Sequence, residues 1–313
     1  MLSFILRRLL SGVVLVAVIS FIAYLLLYMS GGDIARRILG ETASAETVAL
    51  KTEELGLNRP LLVQYWDWLT GALTGNLGRS WFSGELVNVS VSNRVGVTLS
   101  LVIGATIVSA ILSVVLGVLA ARRGGWIDGL VQFVSLIGFA IPGFLIALAL
   151  VLVFAINLGW FKATGYVQIG TSFGGWVSSV ILPIAALSCG AIATVAQQVR
   201  GSVIDAMSRD YVRTLRARGL GIDSVVYRHV LRNAGGPALA VLAVQFIGLL
   251  GGAVIVEQVF AIPGMGQLTV TATSQGDIPV VMGLVIVFAI IVIVVNLLID
   301  LAQAALNPKV RLS

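Results

Sequence analysis

Few side chains in this 313-residue sequence have the types and spacing that covalent chemistry needs. With one cysteine, Cys189, and one histidine, His229, the chain can form neither an internal disulfide nor a Cys/His metal cluster. Cys189 lies in an apolar run and reads as a small buried residue, and His229 as a contact or structural residue. The three lysines follow Leu50, Phe161 and Pro308, so none belongs to the Gly-Lys pair of a phosphate-binding loop. Pro263-Gly264-Met265-Gly266 is glycine-rich but follows an apolar run and reads as a turn. The expectation is a chain that does not hydrolyse ATP through a phosphate-binding loop, with no metal site and no bound cofactor of its own.

What stands out instead is a polar stretch, residues 200–237, between two apolar runs. It holds Arg200, Arg209, Arg213, Arg216, Arg218, Arg228 and Arg232, seven of the 20 lysines and arginines. Residues 210–218 read as a short helix, and Gly219 with Gly221 as its stop, because glycine tolerates the left-handed cap. A second helical run follows at 224–233, and Pro237 opens the next apolar segment. Helix, glycine turn and helix make a knob able to press on a soluble partner.

The elements that must position this knob are greasy. The chain is 58% hydrophobic and 11% charged, and its mean hydropathy is +1.03, outside the range of soluble domains. Residues 9–29 give about 31 Å of helix, long enough to cross a bilayer as an uncleaved first span. Five more candidate spans follow, at 97–121, 129–158, 176–199, 237–256 and 278–305. Six spans put both termini on one side. With the polar stretch, Arg7, Arg8, Arg122, Arg123, Lys309 and Arg311 place 13 of the 20 basic residues on that face, so the positive-inside rule makes it cytoplasmic. The net charge of +6 therefore reports orientation, and no nucleic-acid motif accompanies it.

On the other side, residues 30–95 exceed a plain connection. Helical spacing at 44–55 ends at Gly56, and a second helix begins at Pro60 and runs to Leu73. Trp66, Trp68, Trp81 and Phe82 suit a membrane–water interface, and the whole reads as a small helical cap or a docking surface for a delivery protein. Pro142-Gly143 and Pro183 should kink the third and fourth spans. Gly248 and Gly252 make a small-residue face for a close helix contact. Glu257 falls near the outer interface and Asp300 near the inner one. Neither supplies the mid-membrane charge that an autonomous secondary transporter requires.

Several pieces, taken in order, carry a family resemblance. Phe4-Ile5-Leu6-Arg7-Arg8-Leu9 opens the chain, and Leu55-Gly56-Leu57-Asn58-Arg59-Pro60 precedes Gln64-Tyr65. Gly75-Asn76-Leu77-Gly78 and Ser80 come next. Asp210-Tyr211-Val212-Arg213-Thr214 leads through Ala217-Arg218-Gly219-Leu220 to Arg228-His229-Val230-Leu231-Arg232-Asn233-Ala234. Val256-Glu257, Val259-Phe260, Pro263-Gly264-Met265-Gly266 and Asp277-Ile278-Pro279 complete the series. Over nearly its whole length the chain resembles the permease subunit of dipeptide and oligopeptide ABC importers. The literal Glu-Ala-Ala of the coupling motif is absent, Leu215 stands where alanine is common, and Gly276 where arginine often precedes the aspartate. The first outer turn reads Ser30-Gly31-Gly32-Asp33.

The resemblance implies an all-α membrane protein of six transmembrane helices with the type I ABC importer permease fold. Residues 1–29 would be the first span, 30–95 an extracytoplasmic helical insertion, and 96–313 a five-helix core whose coupling loop is 200–236. It implies half of a translocation path for di- and oligopeptides in a bacterial inner membrane. A homologous second permease would supply the other half, two ATPase subunits would bind the ATP and magnesium, and an extracytoplasmic binding protein would deliver cargo. Arg213, Thr214, Leu215, Arg216, Ala217, Arg218, Gly219 and Leu220 would couple to the ATPase. Pro142, Gly143, Glu257, Phe260, Pro263 and Gly264 are candidates for structural or gating roles. Relatives of this family also carry nickel chelates or glutathione, which stay open as cargo.

Overall fold

The computed structural model describes residues 2–30 and 34–306. Residues 31–33, Lys309 and Arg311 lie outside the described residues, as do the side chains of the opening motif apart from Arg8. Thirteen helices are described: α1 (Leu2–Ser30), α2 (Ile34–Leu39), α3 (Ala45–Glu54), α4 (Leu61–Leu73), α5 (Val87–Arg123), α6 (Gly125–Ala140), α7 (Gly143–Leu150), α8 (Phe173–Met207), α9 (Asp210–Ala217), α10 (Ile222–Val225), α11 (Leu231–Val259), α12 (Met265–Gln275) and α13 (Ile278–Leu306). Among the described residues the only β pairing is one isolated bridge, Arg79 with Leu86.

Five helices are long and apolar enough to cross a membrane, within Leu10–Met29, Val87–Arg123, Phe173–Met207, Ile222–Val259 and Ile278–Ala305. The sixth candidate is broken. The run expected to be one kinked helix is α6 followed by Gly143–Asn157, bent by 96°. The cause is local: Pro142 forces the residue before it out of the helical region, and Ile141 is extended at φ −83°, ψ 122°. Pro142 then starts α7 as its N-cap residue, where a missing N–H costs nothing. Pro183 behaves differently and stays inside α8.

The described residues pack as two compact units, those up to 97 with 263–294, and 98–262 with 295–306. In the first, the helices expected within residues 30–95 form. Ser44 caps α3 by accepting from the Thr47 N–H at 3.2 Å. α4 is tied to α1 by polar atoms within an aromatic cluster: the Ser20 and Tyr65 hydroxyls lie 2.9 Å apart, and Tyr24 donates to Gln64 Oε1 at 3.3 Å. Gln64 donates to the Arg59 carbonyl at 2.7 Å, which explains why Gln64-Tyr65 follows the 55–60 turn. The Tyr24 and Tyr65 rings meet edge to face at 5.6 Å. Trp68 packs beside Tyr24 and Tyr65 in the same cluster.

Asp277, which precedes α13, pins a loop of the same unit. Its carboxyl group accepts from the Ser80 hydroxyl at 2.5 Å and from the Trp81 N–H at 3.2 Å, and the residue is 2% exposed. Asp277→Ala strips both donors of this acceptor. It is expected to destabilise the unit by about 2–3 kcal/mol, read as a lowered thermal midpoint of the purified protein, with Asp277→Asn losing less.

The second unit is built on α8, against which α6, α7 and α11 pack. The tightest helix approaches are not at the expected Gly248 and Gly252. A Cβ at Gly248 would meet only its own helix's Gln245, and one at Gly252 would sit in ordinary contact with Leu187 at 3.4 Å. The close approaches of this unit are on α5: a Cβ at Gly104 would fall 2.4 Å from the Ile184 side chain, and one at Gly117 2.8 Å from the Ala196 carbonyl and from Val199. Polar clamps reinforce the second, with Ser113 donating to the Ile192 carbonyl at 3.1 Å.

Candidate functional site

The arginine-rich stretch folds as predicted up to its glycine turn and departs from prediction after it. α9 buries Val212 and half-buries Tyr211 and Leu215 against a cluster formed by Val203, Ala206, Val225, Val226 and Val230. The three- and four-residue spacing of Asp210, Arg213, Thr214, Ala217 and Arg218 leaves them on the opposite, exposed face with Arg216. Arg213 and Asp210 approach at 3.6 Å with side chains 81% and 95% exposed, a pair worth little in water.

The end of α9 is a Schellman cap. The Leu220 N–H bonds to the Leu215 carbonyl at 3.3 Å, the Gly219 N–H bonds to the Arg216 carbonyl at 2.9 Å, and Gly219 sits at φ +84°. The apolar contact that completes such a cap comes from the same two positions, since Leu215 and Leu220 both pack on the valine cluster. Leu215, the departure from the alanine common in the resembled family, therefore has a structural reason. A Cβ at Gly219 would meet nothing within 4 Å, so the constraint there is backbone conformation and not space.

Beyond the turn, Pro237 is another correction. It does not open a segment but lies inside one continuous helical element, Ile222–Val259, made of α10, a π-helical turn at Val226–Val230, and α11. The predicted second helix of the knob is the foot of that span. Burial of Val225, Val226 and Val230 holds the foot in line, and the Asn233 amide donates to the Tyr211 hydroxyl at 3.1 Å, joining α9 to it.

Two arginines of this region are engaged in ways that spacing does not reveal. Arg200 of α8 forms a two-pronged ion pair with Asp128 of α6, the second prong at 2.5 Å, with the side chains 24% and 17% exposed. Arg122 pairs with Asp223, and its guanidinium lies 5.6 Å above the Tyr227 ring. Arg200→Ala should leave Asp128 half-buried without its partner. A loss of about 1.5–3 kcal/mol is expected from the missing charged hydrogen bonds, measured by thermal unfolding, with Arg200→Lys recovering part of it.

The other candidate residues fall into separate places. Pro142 and Gly143 form the bend, exposed and without close neighbours at Gly143. Glu257 and Phe260 end α11, and both are essentially fully buried. Thr98 of α5 donates to Glu257 at 2.5 Å, the Ile262 N–H bonds to the Glu257 carbonyl at 2.8 Å, and the Gly165 N–H bonds to the Phe260 carbonyl at 2.8 Å. Between them Ala261 takes φ +48°, a conformation unusual for a residue with a side chain. Pro263 and Gly264 make the turn before α12, with Gly264 as its N-cap. Glu257 thus sits at the end of its helix, where helix length puts it, but sealed from solvent.

A helical bundle crossing a membrane, with a short arginine-faced helix held between two of its spans, is the architecture of a transporter's membrane subunit. The chain belongs to the family of binding-protein-dependent transport system inner membrane components: residues 113–312 match that family and residues 1–102 match its N-terminal domain. Among its relatives, a probable peptide ABC transporter permease of Sinorhizobium fredii is 38% identical over 98% of this chain and 99% of its own length. A putative peptide transport system permease of Brucella abortus and a glutathione transport system permease of Salmonella typhimurium are each 35% identical, over 99% of both chains. The fold is similar to that of a chain of the inward-facing MetNI methionine ABC transporter, with a TM-score of 0.53 at 17% identity over 67% of this chain and 93% of that one. The fold is therefore that of a type I ABC importer permease, in a membrane protein that works with a binding protein.

Proposed function

We propose that this chain is one of two permease subunits of an ATP-driven importer of di- and oligopeptides, oriented with both termini and residues 200–236 in the cytoplasm. Arg213 to Leu220 sit in a groove of the ATPase subunit that binds ATP and magnesium, and the outer helices meet the binding protein. The carrying observation is the capped α9: one face is anchored in buried valines and the other offers Arg213, Arg216 and Arg218 to a partner. A rigid, one-sided helix of this kind transmits a push only if the ATPase contacts it differently in its two nucleotide states. The full-length peptide-permease relatives support peptide cargo. The glutathione permease match supports a second reading, in which the cargo is that tripeptide.

The experiment is reconstitution of the complex with its binding protein in proteoliposomes, followed by ATP-dependent uptake of labelled dipeptides, longer peptides, glutathione and a nickel chelate. Peptide uptake abolished by omitting ATP or the binding protein is the expected result. Uptake driven by an ion gradient with this chain alone would overturn the reading.

A further inference from the structure

At the C-terminal end of α5 the second unit carries a hollow of about 480 Å³, in the size range of sites that hold a small molecule. One wall is Val114, Val115 and Leu119, which are 39%, 56% and 39% exposed. The rim is Arg122, Arg123 and Tyr227. Hydrocarbon wall and guanidinium rim meet where the apolar run of a membrane span ends, which is the depth at which a phospholipid changes from acyl chain to phosphodiester.

The charges on this rim do not cancel. Asp223 pairs with Arg122, whose guanidinium also reaches the Tyr227 hydroxyl at 3.4 Å. Arg123 has no ion pair among the described residues and is exposed. One net positive charge therefore faces the hollow, with the phenol of Tyr227 beside it as a further hydrogen-bonding group.

We infer that this hollow is a binding site for an anionic phospholipid. The headgroup phosphate is taken by Arg123, and an acyl chain lies along Val114, Val115 and Leu119. The inference needs only that the chain crosses a membrane and holds for either orientation, so it stands apart from the choice of cargo. A free phosphate would use the rim alone and leave the apolar wall bare, whereas a zwitterionic lipid would use the wall and gain little from Arg123.

The test uses the intact purified transporter, stripped of lipid in detergent and titrated with phosphatidylglycerol or phosphatidylcholine of identical acyl chains. Retained lipid is read by native mass spectrometry. Wild type should prefer phosphatidylglycerol, and Arg123→Gln should reduce that preference about fivefold, the factor carried by one surface arginine. Arg123→Lys should keep most of it. Val115→Trp, which fills the groove without touching the rim, should lower retention of both lipids. Equal retention of the two lipids by wild type would overturn the inference, as would retention unaltered by both Arg123→Gln and Val115→Trp. Full competition by glycerol phosphate would reduce the site to an anion site and also overturn it. Loss of the ATPase subunits from Arg123→Gln would assign the arginine to a protein interface instead.

Discussion

Gly219→Val should reduce ATP-dependent uptake roughly 5–30-fold while the subunit still inserts, assembles and unfolds at nearly its usual temperature. The reason lies in one dihedral angle. Gly219 holds φ +84°, and a residue with a side chain gives up about 1–2 kcal/mol to sit there, more when it is branched at Cβ. A cost of that size lowers the capped-to-uncapped ratio of the α9 terminus by the stated factor, which sets the upper bound of the loss. Nothing lies within 4 Å of the added Cβ, so the core is untouched and the defect stays local. Gly219→Asn should keep most of the activity, because asparagine tolerates the left-handed region. The assays are uptake, substrate-stimulated ATPase turnover and a melting curve on the same preparation. Unchanged uptake and turnover in the valine variant would remove α9 from the coupling role.

Glu257→Ala is expected to have the opposite signature, with stability lost first and transport lost as its consequence. The side chain is 0% exposed, and its carboxyl group accepts the Thr98 hydroxyl, joining the end of α11 to α5. Removing a buried acceptor costs about 1–3 kcal/mol, and the vacated volume adds to that. Glu257→Gln keeps the volume and one acceptor oxygen, so it should recover most of the lost stability. Denaturation midpoints of the two variants, measured beside uptake, separate the roles. If Glu257→Gln were as stable as wild type yet inactive, the acidic group itself would take part in transport, contrary to a purely structural reading.

Much of this was legible from residues alone. Periodicity and caps located α3, α4 and α9, and Gly219 stood out as a stop because few other residues can take its conformation. Less legible was whatever depends on contacts between distant segments. Pro142 marks where a helix must break, but a proline does not fix the exit direction, and packing of α6 and α7 on α8 accompanies the 96° bend. Pro237 looks like a first-turn proline until the buried valines of the preceding foot make the helix continuous through it. The Asp128–Arg200 pair spans 72 residues, and no local spacing rule reaches that far. Helix length put Glu257 at the end of its span but did not reveal its burial, which depends on α5.

The π-helical turn at Val226–Val230 has a consequence for phase. Val226, Val230 and Ala234 are all buried at four-residue spacing, while Arg228 and Arg232 are exposed at the same spacing. In an unbroken α-helix, residues four apart drift by about 40° per step, so both rows would spiral around the axis. A wider turn retards that drift. It keeps the valine row against the core and the arginine row in solvent for two successive turns, so the foot of the span stays dry on one side and charged on the other as it enters the bundle.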